Sequence, residues 1–453
     1  MGLDYGAGLR RVELDSAGLT ALRFCSRGSA RSPGRTTREA QCGLILGGAL
    51  FFMALQLTFR WFYYRDLFPN TYYAKFVLNE HRTQQGLDYL RLSLAPLAWA
   101  WLSIASALWL VRRRATRVLG TIVLIGALGW TSYVVRIGGD IFPAWRHFLP
   151  IAGLGALALS IWLAQHIRAG AMLAATQLGV LAIGLALVGH EADKRNWAKE
   201  ETWEWDGAPV ARLLRLSFAD EKPLLAVDPA GSIPYFSRLP SLDLMGLSDR
   251  YLAHHRPATM GQNMLGHELG DAGYYAKRNP DIVCFGIPPC FRESQFPAQQ
   301  AFSRSADFRK RYELVVLEAR AGKRPLLGEL WFRRDGKIGV RYSADAIEVP
   351  GYLFGGSRES PIVGEPGGLA LRLAPRRSER IDELSVGAGV WRVEVESSEP
   401  LARVVVHERR TRLVEGRDVR DVQFELKEPA LLGLELGARE SGAVVRKVVL
   451  RRL

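Results

Sequence analysis

Between residues 42 and 189 the sequence carries five apolar runs, roughly Cys42–Phe59, Ser93–Val111, Val118–Val135, Phe148–Gln165 and Gly170–Gly189. Each approaches the ~20 residues that a helix needs to cross the hydrocarbon core of a bilayer. One such run could be a buried helix of a soluble protein; five in succession predict a polytopic α-helical membrane domain.

The positions of Lys and Arg orient it. Arg10, Arg11, Arg23, Arg27, Arg31, Arg35 and Arg38 lie in the tail, and Arg112, Arg113, Arg114 and Arg117 fill a short loop. With five spans both groups fall on one side, which the positive-inside bias makes the cytoplasm. The expectation is a multi-pass protein of the inner (cytoplasmic) membrane, with a cytoplasmic N-terminus. The loops at 60–88 and 136–147, and everything after Gly189, then face the periplasm or exterior. The aromatic stretch Arg60-Trp61-Phe62-Tyr63-Tyr64 reads as an interfacial belt.

Four regions follow. Residues 1–41 form a basic cytoplasmic tail, and 42–189 the transmembrane domain. HEADKRNWAKEETWEWDG is a polar exit from the membrane. Residues 190–344 mix short strands and helices as a small α/β domain. PDIVCFG and RYELVVLEA read as buried strands, and GELWFRRDGKIGV as a hairpin with an Asp-Gly turn. From 345 to 453 apolar and polar residues alternate in strand after strand, the pattern of an antiparallel β-sandwich. Cys284 and Cys290 frame CFGIPPC in the outward region. They are either a disulfide or two buried thiols. Cys25 and Cys42 fall on the reducing side.

The net charge of +14 comes without any zinc-finger, RRM-like or basic-zipper pattern, so nucleic acid is not an expected partner. Anionic lipid or a phosphate-bearing substrate fits a basic membrane protein.

Two outward loops concentrate polar chemistry. FRWFYYRDLFPNTYYAK offers Arg65, Asp66, Asn70, Thr71, Tyr72, Tyr73 and Lys75, and GGDIFPAWRHFLP offers Asp140 and Arg146 behind Gly138 and Gly139. Arginine and lysine suit phosphate. Aromatic faces and amides suit sugars. A carboxylate can take a proton from an attacking hydroxyl or help hold a divalent metal ion. The bland alternative is interfacial snorkelling and an Asp140–Arg146 ion pair. A third cluster holds Asp228, Tyr235, Asp243, Asp249, His254, His255, His267 and Asp271. It has no H-E-x-x-H spacing, and most of its aspartates suit helix caps. Walker A, G-x-S-x-G and dinucleotide fingerprints are absent from the sequence.

YYRDLFPNTYYAK, GGDIFPAWRHFLP and DPAGSIPYFSRLPSLDLMGLSD together resemble polytopic bacterial glycosyltransferases of the GT-C class, most of all the terminal arabinofuranosyltransferases. The likeness spans residues 50–290. It implies transfer of a sugar from a polyprenyl-phosphate donor to an envelope glycan acceptor at the outer membrane face. Arg65, Lys75 and Arg146 would hold the donor phosphate. Asn70, Thr71, Tyr72 and Tyr73, with Asp228, Tyr235 and His267, would line the sugar and acceptor side. Asp140 or Asp66 would serve as base, with a divalent metal ion as the one cofactor in view. Such enzymes carry about ten or more spans and a catalytic aspartate in their first outward loop. The loop that comes first here matches a late one. The expectation is therefore a truncated form, one half of a split enzyme whose second membrane subunit supplies the missing helices, or an inactive relative. A non-catalytic membrane-anchored glycan- or lipid-binding protein is the alternative. A transporter fragment fits least, because the polar groups gather at one face.

Overall fold

The structure, a computed structural model, describes residues 35–142, 145–166, 170–189, 202–409 and 411–453. Residues 1–34 of the expected tail, Pro143 in the second loop and the polar exit at 190–201 lie outside the described residues. The chain divides into two units, Met1–Pro69 and Asn70–Leu453.

In the first unit, helix α1 (Arg35–Tyr64) ends in the expected aromatic belt, with Phe59 stacked on Tyr63 at 5.3 Å. Arg65 turns the backbone into the left-handed region at φ 55°. Asp66 then accepts a hydrogen bond from the Phe68 amide at 3.2 Å, closing a turn before Pro69.

The second unit begins with α2 (Asn70–Lys75), α3 (Glu80–Ser93), α4 (Ala98–Arg112), α5 (Arg117–Ile137), α6 (Leu149–His166, entered through a 3-10 turn at Arg146–Phe148) and α7 (Gly170–Gly189). Two of these, α5 and the stretch Arg146–His166, are long and apolar enough to cross a membrane. A third candidate exists only if α3 and α4, bent by 93°, count as one span. The five spans expected from the apolar runs are therefore not supported. The second run fails for a clear reason. Pro96 sits in the turn between α3 and α4, where it offers no N–H to continue a helix. That leaves α4 only 15 residues long. Among the described residues neither α1 nor α7 adds a candidate span.

Small residues let the helices approach. A Cβ on Gly120 would lie 2.7 Å from the Val111 nitrogen, and one on Gly155 would lie 2.9 Å from the Ala100 oxygen. Ala107, Ala127 and Ala158 are buried along the same seams. This is the close packing that helices use where no hydrophobic drive brings them together. The opposite face of α5 turns Val118, Ile122, Ile125 and Leu128 outward, each more than half exposed.

Beyond α8 (Trp203–Phe218), the short, wholly apolar β1 (Leu225–Val227) pairs in parallel with β2 (Ser241–Asp243) and β3 (Ile282–Cys284). Helices α9 (Ser232–Ser237), α10 (Arg250–His254) and α11 (Ala272–Arg278) fill the crossovers. After α12 (Pro297–Arg304) and α13 (Ala306–Arg311), β4 (Tyr312–Ala321) forms a long hairpin with β5 (Arg324–Arg333), and β5 pairs antiparallel with β3. The sheet then runs on from β4 through β8 (Ile362–Glu365), β9 (Gly368–Leu373), β16 (Ala443–Arg452), β11 (Gly389–Ser397) and β14 (Asp421–Leu426). β7 (Ala346–Pro350) adds to β16, and β6 (Arg341–Tyr342) to β7, which makes twelve strands.

A second sheet of four strands has the order β10 (Ser378–Val386), β15 (Ala430–Gly437), β12 (Leu401–Glu408), β13 (Thr411–Val419). The two sheets share one core: Leu371, Trp391, Val393 and Val448 of the first and Ile381, Val404 and Leu434 of the second belong to the same buried cluster. The helical N-terminal half and β-rich C-terminal region thus follow the sequence pattern. The hydrogen-bonded sheet passes without interruption across residues 344 and 345.

Candidate functional site

Gly138 and Gly139 open the second polar loop with φ of 90° and 75°, a region that L side chains enter at a cost. They also meet side chains from α3. A Cβ on Gly138 would lie 2.2 Å from Arg82 Cδ, and one on Gly139 would lie 2.4 Å from Tyr89 Cγ. Arg82 is fully buried and reaches past Gly138 to an ion pair with Glu268, whose side chain is 1 % exposed. The other Glu268 oxygen accepts the backbone amides of Gly261 and Asn263, both at 2.8 Å. Asn79 caps α3 by accepting the Arg82 amide at 2.7 Å, and its amide donates to the Met260 carbonyl at 3.2 Å. Loop 260–268 is thereby interlocked with the start of α3 and with the Gly-Gly-Asp loop.

The interlock gathers polar groups around it. Arg146 pairs with Asp140 through two of its nitrogens, and His147 Nε2 stands 3.6 Å from the same carboxylate. Asp140 also accepts from the Ile141 and Phe142 amides at 2.9 and 3.4 Å, and its side chain is 5 % exposed. Arg146, half exposed, lies over the Phe142 ring at 4.3 Å. Lys75 acts electrostatically on both His147 and His267, and its side chain passes Gly266 within 3.1 Å of where a Cβ would be. Burial, with Lys75 adding to it, holds the His267 imidazole below its ordinary pKa against the opposing pull of the Leu265 carbonyl and Glu268. The imidazole stacks on Phe296 at 5.3 Å. Three sequence-distant segments thus bring Lys75, Asp140, Arg146, His147 and His267 to one place.

Asp228 and Asp243 stand at the carboxyl ends of β1 and β2, the edge where parallel sheets present their loops. Both are buried. Asp228 accepts from the Gly286 amide at 2.7 Å and the Ser294 hydroxyl at 2.8 Å, while its Oδ1 has no hydrogen-bond partner. Burial pushes its carboxyl up to about 6 despite those bonds, and the Asp243 charge adds to the rise. Asp243 is raised by burial as well and closes a turn on Met245 and Ser248. Asp228 is thus an interior carboxyl one layer behind the cluster: Ser294 bonds it and also accepts the Phe296 amide, and Phe296 carries His267.

The other expected site residues are spread more widely. Asn70, Thr71, Tyr72 and Tyr73 share α2 with Lys75. Tyr72 stacks on Phe76 at 4.8 Å, and Tyr73 meets the His254 ring at 4.1 Å. Tyr235, three-quarters exposed, sits on α9 against Phe236. Arg65 and Asp66 belong to the first unit. Cys284 and Cys290 are joined as a disulfide. Asp249 and Asp271 cap α10 and α11, as their residue type suggests. Arg82, His147 and Glu268 were not singled out as site residues from the sequence. Among the described residues no group of three or more His, Cys, Asp or Glu side chains could hold a metal ion. A cleft of about 360 Å³ lies beside the interlock, bounded by Asn79, Thr83, Leu87 and Arg136, while a larger one of about 810 Å³ opens far along the chain at Arg376, Arg403 and Arg439.

Residues 195–335 match a family described as a domain of unknown function (DUF8728). No curated protein matches the sequence. Among solved structures, the C-terminal CBM6 of LamC, a marine laminarinase from Zobellia galactanivorans, is similar at 12% identity over 24% of this chain and 100% of its own, with a TM-score of 0.20. An exo-beta-1,3-galactanase from Phanerochaete chrysosporium, solved with galactose, is similar at 16% identity over 30% of this chain and 42% of its own, with a TM-score of 0.18.

Proposed function

We propose that this chain is a membrane glycosyltransferase of the GT-C kind, moving a sugar from a polyprenyl-phosphate donor to an envelope glycan acceptor. The observation that carries the reading is the convergence of Lys75, Arg146 and His147 beside Asp140, at the turn between two helices able to cross a membrane. A lipid-borne phosphate needs cations at that boundary. In this reading Lys75 and Arg146 hold the donor phosphate. Asp140 orients Arg146, since its carboxylate is already engaged by a guanidinium and two backbone amides. The His267 imidazole, whose protonation burial disfavours, takes the acceptor proton. The bond from the sugar C1 to the phosphate oxygen breaks, polyprenyl phosphate leaves with the electron pair, and the acceptor oxygen bonds C1. Asn70, Thr71, Tyr72 and Tyr73 face the sugar, and the chemistry sits at the outer face, where the Cys284–Cys290 disulfide suits an oxidising compartment.

The engagement of Asp140 also favours the second reading, a non-catalytic binder of the same lipid-linked sugar. One assay separates the two. The purified full chain in lipid nanodiscs is given a labelled sugar on polyprenyl phosphate, and both retention of donor and transfer of label are measured for wild type, Lys75→Ala, Arg146→Ala and His267→Ala. Loss of a charged hydrogen bond predicts about a tenfold to hundredfold weaker donor retention in Arg146→Ala. Retention without transfer in wild type selects the binder. Retention unchanged in both cation variants sinks both readings.

A further inference from the structure

At the other end of α5 lies a second cationic feature that the proposed reaction does not use. Arg112, Arg113, Arg114 and Arg117 fall within six residues and are all exposed. Between Asp88 and Glu191 the sequence holds a single carboxylate, Asp140, at the opposite end of the helix. Among the described residues none of the four arginines makes an ion pair. Arg112 and Arg117 instead donate to the Leu108 and Val111 carbonyls at 3.4 and 3.3 Å, and Arg113 lies over the Trp109 ring at 4.7 Å. Trp109 meets His166 at 4.6 Å, and Trp162 meets the same imidazole at 4.5 Å.

Four like charges crowded together repel one another unless an anion answers them. Tryptophan beside arginine is the composition of a headgroup layer. The outward apolar stripe of α5 starts one residue after Arg117, at Val118, so hydrocarbon contact gives way to cation without a gap. We infer that Arg112, Arg113, Arg114 and Arg117, with Trp109 and Trp162, form a collar that binds the headgroups of anionic phospholipids. The inference is independent of the proposed reaction.

The test uses the full chain, purified in a zwitterionic detergent and offered mixed micelles of phosphatidylglycerol and phosphatidylcholine, with retained lipid weighed by native mass spectrometry. Wild type should keep phosphatidylglycerol in preference. The triple variant Arg112→Gln, Arg113→Gln, Arg114→Gln should lose at least about tenfold of that preference, since each surface cation contributes about fivefold. The matching triple Arg→Lys variant should keep most of it, which guards against a loss that comes from misfolding. Inorganic phosphate at millimolar concentration should not displace the lipid. Equal retention of both lipids by wild type would overturn the inference, as would preference surviving in the Gln variant, loss of equal size in the Lys variant, or displacement by free phosphate.

Discussion

Replacing Glu268 with alanine should destabilise the molecule and loosen loop 260–268. The substitution leaves the Arg82 guanidinium with no exposed surface and no countercharge, and its Nε has no hydrogen-bond partner to begin with. The Gly261 and Asn263 amides lose their acceptor too, although exposed Asn263 can turn to water. Breaking a buried pair by removing one partner costs about 3–5 kcal/mol. The double variant Arg82→Leu, Glu268→Leu removes both charges together and leaves mainly the two amides unanswered, a cost of about 1–2 kcal/mol. A double-mutant cycle on the full chain in nanodiscs, followed by chemical denaturation and by hydrogen exchange of loop 260–268, reads both quantities. Glu268→Ala should accelerate exchange at Gly261 and Asn263, and the double variant should recover part of the lost stability. Should Glu268→Ala unfold at the wild-type midpoint, or the double variant be the weaker of the two, the interlock does not hold the loop.

Two further outcomes follow from the same geometry. Gly138→Ala should cost about 2–3 kcal/mol, from left-handed backbone and from a Cβ 2.2 Å from Arg82 Cδ. Gly129→Ala, in the same helix run with nothing within 4 Å of its Cβ, should be neutral or stabilising by about 0.5–1 kcal/mol, and equal melting shifts for the two would remove the steric account. Asp228 holds its proton more tightly folded than unfolded, its carboxyl rising from 3.8 to about 6. Folding therefore takes up a proton between pH 4 and 6, and the stability this group contributes is full below that window and lost as pH rises through it, on the order of 3 kcal/mol. Asp228→Asn should gain on wild type as pH rises from 4 to 6, and a difference in midpoint that does not change with pH would refute the burial argument.

Much of this architecture was legible because it is local. Apolar runs located helices at α1, α4, α5, α6 and α7, and alternation located the strands after residue 345. Hydropathy alone does not fix the number of spans: Pro96 lies inside the apolar run Ser93–Val111, and α3 and α4 meet there at a 93° bend. The pair of glycines before Asp140 read as a tight turn. What makes them necessary, Arg82 and Tyr89, lies about fifty residues upstream on another helix. The Arg82–Glu268 pair joins residues 186 apart, and no spacing rule marks either partner. Asp140 and Arg146, six apart, could be paired by eye; that Lys75 and His267 approach the same place is a matter of tertiary packing. The order of the large sheet was equally hidden, since β4 meets β8 at the single register pair Leu317 and Ile362.

That continuity of the large sheet has a mechanical meaning. A ladder that is hydrogen-bonded from β14 to β2, over a core shared by Val315, Leu317 and Leu371, leaves no hinge at residues 344 and 345. A swing of the β-rich end away from β1 and Asp228 would have to break the Leu317–Ile362 pair and part that shared core.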